Sequence, residues 1–220
     1  MSRTRIKICG ITNTGDAHEA LKAGADFLGF NFHALSSRYI KPQRVKGILE
    51  FLRMQGVKKM QGVGVFVDED PEEIRRILRI TGLRIVQLHG NETPQDVASL
   101  KGFLRIKAVK VTKPEWADQL DRYGADAYLA EAPHATLPGG SGMSYDYSLV
   151  EPATQGQKIF LAGGLNPRNV AEAVRLVHPY AVDVASGVES TPGHKDIEAM
   201  RAFCQAVRSA GAARAVANPA

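Results

Sequence analysis

Eight short apolar runs, helical patterns between most of them, and a length of 220 residues predict an α/β protein built as a single-domain (β/α)8 TIM barrel. The runs are RIKIC (5–9), DFLGFNF (26–32), GVGVFV (62–67), RIVQLH (84–89), LRIKAVKV (104–111), AYLAEA (127–132), KIFLAG (158–163) and YAVDVA (180–185). They are rich in branched residues and often apolar on both alternations. That pattern suits strands buried on both faces of a parallel sheet. A doubly wound open sheet is the competing architecture. It often carries a GxGxxG turn after its first strand, whereas here the first run leads into CGITNTG, which lacks that spacing.

The helices follow in order. In TNTGDAHEALKAGA, residues Ala17, Ala20, Leu21 and Ala23 form one stripe, and Gly24 reads as the C-cap. Residues 42–55 start on a proline, and residues 71–80 do the same with Glu72 and Glu73 in the first turn. Asp68, in VDEDPEE, reads as a cap for that helix. Residues 93–100 open on Thr93 and Pro94. The segments after the fifth and sixth runs are shorter and less regular. Residues 167–177 follow Asn166 and Pro167, and residues 196–209 close the fold. The single domain spans 1–220, with 211–220 (GAARAVANPA) expected to fray.

Composition narrows the function. Two cysteines far apart make no disulfide framework, so a cytoplasmic protein with reduced thiols is expected. MSRTRIKICG is basic but has no long apolar stretch, so no secretory signal is read there. No window approaches the roughly 18 apolar residues of a membrane span. The net charge of +5 suits a small anionic substrate or nucleic acid. The positive residues are dispersed, without a basic block interleaved with aromatics, which argues against nucleic acid. The histidines show no HxH or HExxH and no Cys/His spacing, so no metal is expected.

In such barrels the site is built where the strands end at their C-termini. Cys9 ends the first run, where it is either a small buried hydrophobe or a reactive thiol. The second run enters a polar loop with Arg38, whose planar fork suits a carboxylate but also suits solvent. Gln87 and His89 end the fourth, Glu131 the sixth, and Asp183 lies in the eighth. Gly163 and Gly164 precede a helix start, and Ser186 and Gly187 sit in the next loop. Two glycine-bearing loops after strands seven and eight form the usual phosphate site of this fold.

KICGIT, GFNFHALSSRYI, GVFVDE, VQLHGNE, GGSG, FLAGGLNPRNV and DVASGVESTPGHKD stand in the order seen in the phosphoribosylanthranilate isomerase family. The resemblance runs from Lys7 to about Asp196. It implies a cofactor-free and metal-free aldose–ketose isomerisation in tryptophan biosynthesis, an Amadori rearrangement of N-(5′-phosphoribosyl)anthranilate. It further implies Cys9 as general base, Arg38 facing the anthranilate carboxylate, and Asp183 holding a sugar hydroxyl. Gly163, Gly164, Ser186 and Gly187 fall in the phosphate segments, with Gln87 and His89 near the base of the pocket. The implied partner is a small phosphorylated substrate, with no nucleic acid and no membrane, for a monomer or homodimer. One residue departs from the pattern. The family's general acid is an aspartate at the end of strand six, and this chain has Glu131 there, one methylene longer. A misplacement of about 1 Å can cost on the order of 100-fold in rate. Related barrels that isomerise a phosphoribosyl imidazole carboxamide use an aspartate at the end of strand one, where this chain has Cys9. A barrel that binds a phosphorylated ligand without turnover is the remaining alternative.

Overall fold

The computed structural model describes residues 3–57, 60–132 and 146–217. The eight apolar runs become β1 (Arg5–Cys9), β2 (Phe27–Asn31), β3 (Gln61–Phe66), β4 (Ile85–Leu88), β5 (Leu104–Lys110), β6 (Ala127–Glu131), β7 (Ile159–Ala162) and β8 (Ala181–Val184). They pair in parallel in chain order, and β8 closes on β1, so the sheet is a barrel without an edge. Alternation decides which side chains face inward. Phe27, Val63, Ile85, Ile106, Ala127, Leu129, Phe160, Ala162 and Ala181 meet in one interior cluster. The intervening residues, such as Ile6, Ile8, Leu28, Val86 and Val182, pack outward against the helices.

The first four helices are α1 (Thr14–Ala23), α2 (Pro42–Met54), α3 (Pro71–Thr81) and α4 (Pro94–Ser99). In α3 the buried residues Ile74, Ile77, Leu78 and Thr81 recur at the three- and four-residue spacing that turns one stripe to the barrel. Its cap is Asp70, which accepts from the Glu72 N–H at 2.7 Å, and not Asp68. Asp68 is drawn away by the neighbouring loop, where it accepts from the Asn91 N–H at 2.5 Å. Gly24 ends α1 in the left-handed region, as its position after the stripe predicts.

The weak patterns after strands five and six correspond to short pieces. Residues Pro114–Gln119 form a 3-10 turn leading into α5 (Leu120–Tyr123), and Ser148–Gln155 form another 3-10 segment. α6 covers Val170–Val177 and starts three residues later than Pro167. Asn166 and Asn169 hold the intervening residues in a side-chain-bonded turn: Asn166 Oδ1 accepts from the Arg168 N–H, and Asn169 Oδ1 from the Asn166 N–H. α7 runs from Ile197 to Ala217, well into the segment read as a tail. The GGSG stretch at 139–142 lies outside the described residues.

After β8 comes an element that the sequence reading treats as loop. A 3-10 turn at Ser186–Val188 leads into a small antiparallel hairpin, β9 (Glu189–Thr191) and β10 (His194–Lys195). Its strands bring Glu189 and Lys195 over the mouth of the barrel.

Candidate active site

The inward-facing positions near the C-terminal ends of the strands carry the polar groups. On β1, Lys7 and Cys9 are two residues apart and share a face. The register sets Lys7 beside Asp183 of β8 and Cys9 beside Gly29 of β2. Gly29 leaves the thiol its space: a Cβ there would sit 2.6 Å from Cys9 Sγ. Lys7 is 0% exposed, and its Nζ donates to Asp183 Oδ1 at 2.8 Å. Burial lowers the lysine's proton affinity, but Asp183 and Cys9 outweigh it and leave it raised. Burial also pushes the Cys9 thiol up; Lys7 pulls it down, and Asp183 adds to the rise. The net direction is upward, so Cys9 is a thiol at neutral pH, not the activated thiolate that positive neighbours alone would give.

Arg38 reaches the same mouth. Its stem lies against Gly10, where a Cβ would come within 2.5 Å of Arg38 Cδ. Its Nε and Nη2 donate to the two oxygens of Glu189 at 2.8 and 2.6 Å, a bidentate fork. Glu189 Oε1 also accepts from Lys195 Nζ at 2.7 Å. Burial pushes the Glu189 carboxyl up, but its bonds to Arg38 and Lys195 prevail and hold it below the usual range. One edge of the Arg38 fork is thus committed within the protein, which fixes the direction in which the other edge faces.

On the β4 and β6 side, Gln87 Nε2 and His89 Nδ1 lie 2.8 Å apart. His89 Nε2 is 4.0 Å from Glu131 Oε2. His89 draws the Glu131 carboxyl down, against an upward push from burial, and the net direction is down. The group expected as a general acid is therefore ionised at neutral pH. The loop carrying His89 is pinned from outside the barrel. Lys107 Nζ donates to Glu92 Oε2 and to the Gly90 carbonyl, both at 2.8 Å, and Glu92 accepts from the Gly90 and Asp68 N–H groups.

The two glycine-bearing loops pack together after β7 and β8. Gly163 and Gly164 take φ of 98° and 57°, the left-handed region open to glycine. At Gly187 a Cβ would meet the Leu165 carbonyl oxygen at 1.9 Å, so only glycine allows that approach. Asn166 and Asn169 Nδ2 both donate to the Gly164 carbonyl, which stiffens the first loop. Ser186 opens the 3-10 turn beside it.

All the residues singled out in the sequence thus lie at one end of the barrel. Glu189, Lys195 and Glu92 were missed, although the first two stand within DVASGVESTPGHKD and the third ends QLHGNE. Their only sequence signal was membership of those stretches. A cavity of about 380 Å³, lined by Leu52, Arg53, Met60, Gln61, Leu83 and Arg84 among others, lies at the opposite end, away from these groups. Among the described residues no group of three or more His, Cys, Asp or Glu could hold a metal ion. Among them, too, no helix is long and apolar enough to cross a membrane.

A closed (β/α)8 barrel with a thiol, carboxylates, an anchored arginine and paired glycine loops at its C-terminal mouth defines an enzyme of the barrel class equipped for acid–base work on an anionic ligand. The comparisons narrow this. The sequence model of a family described as N-(5'phosphoribosyl)anthranilate (PRA) isomerase matches residues 6–206. The N-(5'-phosphoribosyl)anthranilate isomerase of Trichlorobacter lovleyi is 42% identical over 94% of this chain and 98% of its own length. The crystal structure of phosphoribosyl anthranilate isomerase from Thermotoga maritima is 38% identical and superposes with a TM-score of 0.84, over 94% of this chain and 99% of that one. A structure of the same enzyme type, in complex with reduced 1-(o-carboxyphenylamino)-1-deoxyribulose 5-phosphate, is 36% identical with a TM-score of 0.82, over 94% and 99% of the two chains. This chain belongs to the N-(5'-phosphoribosyl)anthranilate isomerase family.

Proposed function

We propose that the chain isomerises N-(5′-phosphoribosyl)anthranilate to its 1-deoxyribulose 5-phosphate form, the family's step in tryptophan biosynthesis, with Cys9 as base and Glu131 as acid. The observation that carries this is the convergence of Cys9 from β1 and Glu131 from β6 on one mouth, beside the glycine loops after β7 and β8. The substrate phosphate rests against Gly163, Gly164, Ser186 and Gly187. Asp183 accepts from a sugar hydroxyl, and the uncommitted edge of Arg38 meets the anthranilate carboxylate. Gln87 and His89 line the pocket beside Glu131.

The chemistry runs in a series of proton transfers. Protonated Glu131 gives its proton to the furanose oxygen as the C1′–O bond breaks, and the nitrogen lone pair forms the iminium. The Cys9 thiolate then takes the C2′ proton. The electron pair of that C–H bond forms the enolamine, which becomes the ketone when C1′ gains a proton and the C2′ hydroxyl gives one up to water. No cofactor or metal enters.

The shifts favour the opposite protonation, a Cys9 thiol with a Glu131 carboxylate. The reactive form has the same total charge, with one proton moved from the thiol to the carboxylate. Substrate favours the protonated Glu131, because it excludes water and brings anionic groups. The Glu131 carboxylate faces His89, whose Nε2 lies 4.0 Å from Oε2.

We further propose a cytoplasmic enzyme acting as a monomer or homodimer, with no nucleic-acid partner. The test is turnover of phosphoribosylanthranilate by the purified chain. Cys9→Ala and Glu131→Gln are each expected to lose about 100- to 10,000-fold in kcat, the usual worth of a positioned acid or base. Full activity in either variant removes that residue from the mechanism. Tight binding of the reduced product analogue by a wild-type chain without turnover would make it a binding protein.

A further inference from the structure

The assignment of Cys9 leaves a physical difficulty. A thiolate inside a barrel is a buried anion, and burial is the dominant influence on this thiol. Something must supply the compensating charge. Three cations face the thiol from the elements around it: Lys7 on β1, Lys195 on β10, and Arg38 in the loop after β2. Arg38 and Lys195 share the carboxylate of Glu189. Asp183 on β8 opposes them, its negative charge pushing the thiol up.

Lys7 differs from the other two. It lies on the same strand and face as Cys9, is 0% exposed, and is the cation with the strongest hold on the thiol. Its register partners are Phe27 and Asp183, so its stem passes through the apolar interior before the ammonium meets a carboxylate. As a fastener between β1 and β8 the Lys7–Asp183 pair adds little, because parallel pairing already joins those strands from Arg5 to Ile8. Buried ion pairs are in general poor sources of stability. An ammonium, however, has three N–H donors and no acceptor. One donor engages Asp183 at 2.8 Å, and others remain for a sulfur anion on the same face.

We propose that Lys7 is a positioning residue for the isomerisation: held by Asp183, its ammonium is the counter-charge that allows Cys9 to give up its proton within the barrel. The thiol proton leaves toward the mouth, and the sulfur anion pairs with Lys7. The anion then takes the C2′ proton and returns to the thiol, while Lys7 keeps its own proton throughout. This inference rests on Cys9 acting as the base. Its test is therefore read first on the thiol itself, without turnover.

The experiment follows alkylation of Cys9 by iodoacetamide against pH, with the labelled peptide quantified by mass spectrometry. The chains are wild type, Lys7→Met, Lys7→Gln, Lys7→Arg and Asp183→Asn, each checked for folding by circular dichroism. Lys7→Gln can still donate to Asp183, so it keeps the strand contact and loses only the charge. Both neutral variants are expected to raise the alkylation midpoint by about one pH unit or more, a tenfold change in thiolate fraction per unit. Asp183→Asn is expected to move it the other way, and Lys7→Arg to stay near wild type. In turnover the neutral variants are expected to lose on the order of 100-fold in kcat with little change in KM, and to recover as pH rises. An unchanged midpoint in folded Lys7→Gln overturns the proposal. Should neither neutral variant fold, a midpoint raised by about one pH unit or more in folded Lys7→Arg, which keeps the charge, overturns it instead. Full activity of Cys9→Ala would strike down the base assignment and leave the thiol measurement standing.

Discussion

Removal of Glu189 gives the sharpest test of how the mouth is held together. The Glu189 side chain is 4% exposed and serves two cations, Arg38 at 25% and Lys195 at 0% exposure. In Glu189→Ala the two cations fare differently. Arg38 can turn part of its guanidinium to water. Lys195 cannot, and keeps only the Ala185 carbonyl at 3.1 Å. A buried ammonium that loses its carboxylate costs about 3–5 kcal/mol. That is a large share of the roughly 5–15 kcal/mol that holds a typical domain together. For a chain of this size each kcal/mol moves Tm by about 2–4 °C, so a fall of roughly 6–20 °C is expected. The second variant, Glu189→Ala/Lys195→Met, removes the stranded charge and should regain most of the loss, since apolar groups of similar volume replace buried ion pairs without penalty. The assay is urea unfolding of all three chains at pH 7.5, with the slopes compared to confirm a common unfolding transition. The acid limb adds a second reading. The folded Glu189 carboxyl lies below its unfolded value, so its contribution is complete above the unfolded value and is lost as pH falls through the folded one. The gap between wild type and Glu189→Ala should therefore close below about pH 4.3. A loss under about 1 kcal/mol, or no recovery in the double variant, would refute the argument that Lys195 depends on Glu189.

The remaining expectations concern the acid–base pair and its surroundings. Because Glu131 is shifted down and Cys9 up, kcat/KM should hold a broad plateau; its acid limb should fall below about 4.3 and its alkaline limb above about 8.5, the ordinary values of the two groups. A narrow bell centred between those values would contradict the shifts. His89→Asn removes the leading cause of Glu131's low proton affinity, so the Glu131 carboxyl should titrate at higher pH in carboxyl-resolved NMR; no upward movement would discard His89 as the cause. Gly29→Ala forces a Cβ to within 2.6 Å of Cys9 Sγ. It should destabilise by about 1–3 kcal/mol by overpacking and depress kcat more than KM; an unaffected kcat would show that the thiol tolerates displacement.

The strands were legible because a closed parallel sheet is apolar on both faces, which writes each strand as an unbroken run. Their ends were less so. The fourth run reads to His89, but β4 stops at Leu88, because the next residues turn to meet Lys107 and Glu92. The extension of α7 through Ala217 shows that an alanine-rich stretch continues a helix past Gly211. Strand ends alone brought Cys9, Gln87, His89 and Glu131 to one end of the barrel, while the roles expected of them came from the family resemblance. What holds them could not be named from the sequence. Arg38 and Glu189 are 151 residues apart and Lys107 and Glu92 are 15 apart, and no local pattern marks either pair. The protonation states were also out of reach, because burial outweighs Lys7 at Cys9 and only a packed interior sets that balance.

The interior cluster of Phe27, Val63, Ile85, Ile106, Phe160 and Ala181 has a consequence of its own. It forms an apolar floor, and beneath it the Tyr180 ring packs on Phe160 at 5.6 Å with the Arg5 guanidinium 4.8 Å from its centroid. Among the described residues, the C-terminal mouth is thus backed by packed side chains rather than by a channel through the barrel. Under the proposed function, substrate enters and product leaves on the side away from that floor, and protons reach the reacting atoms from the same side.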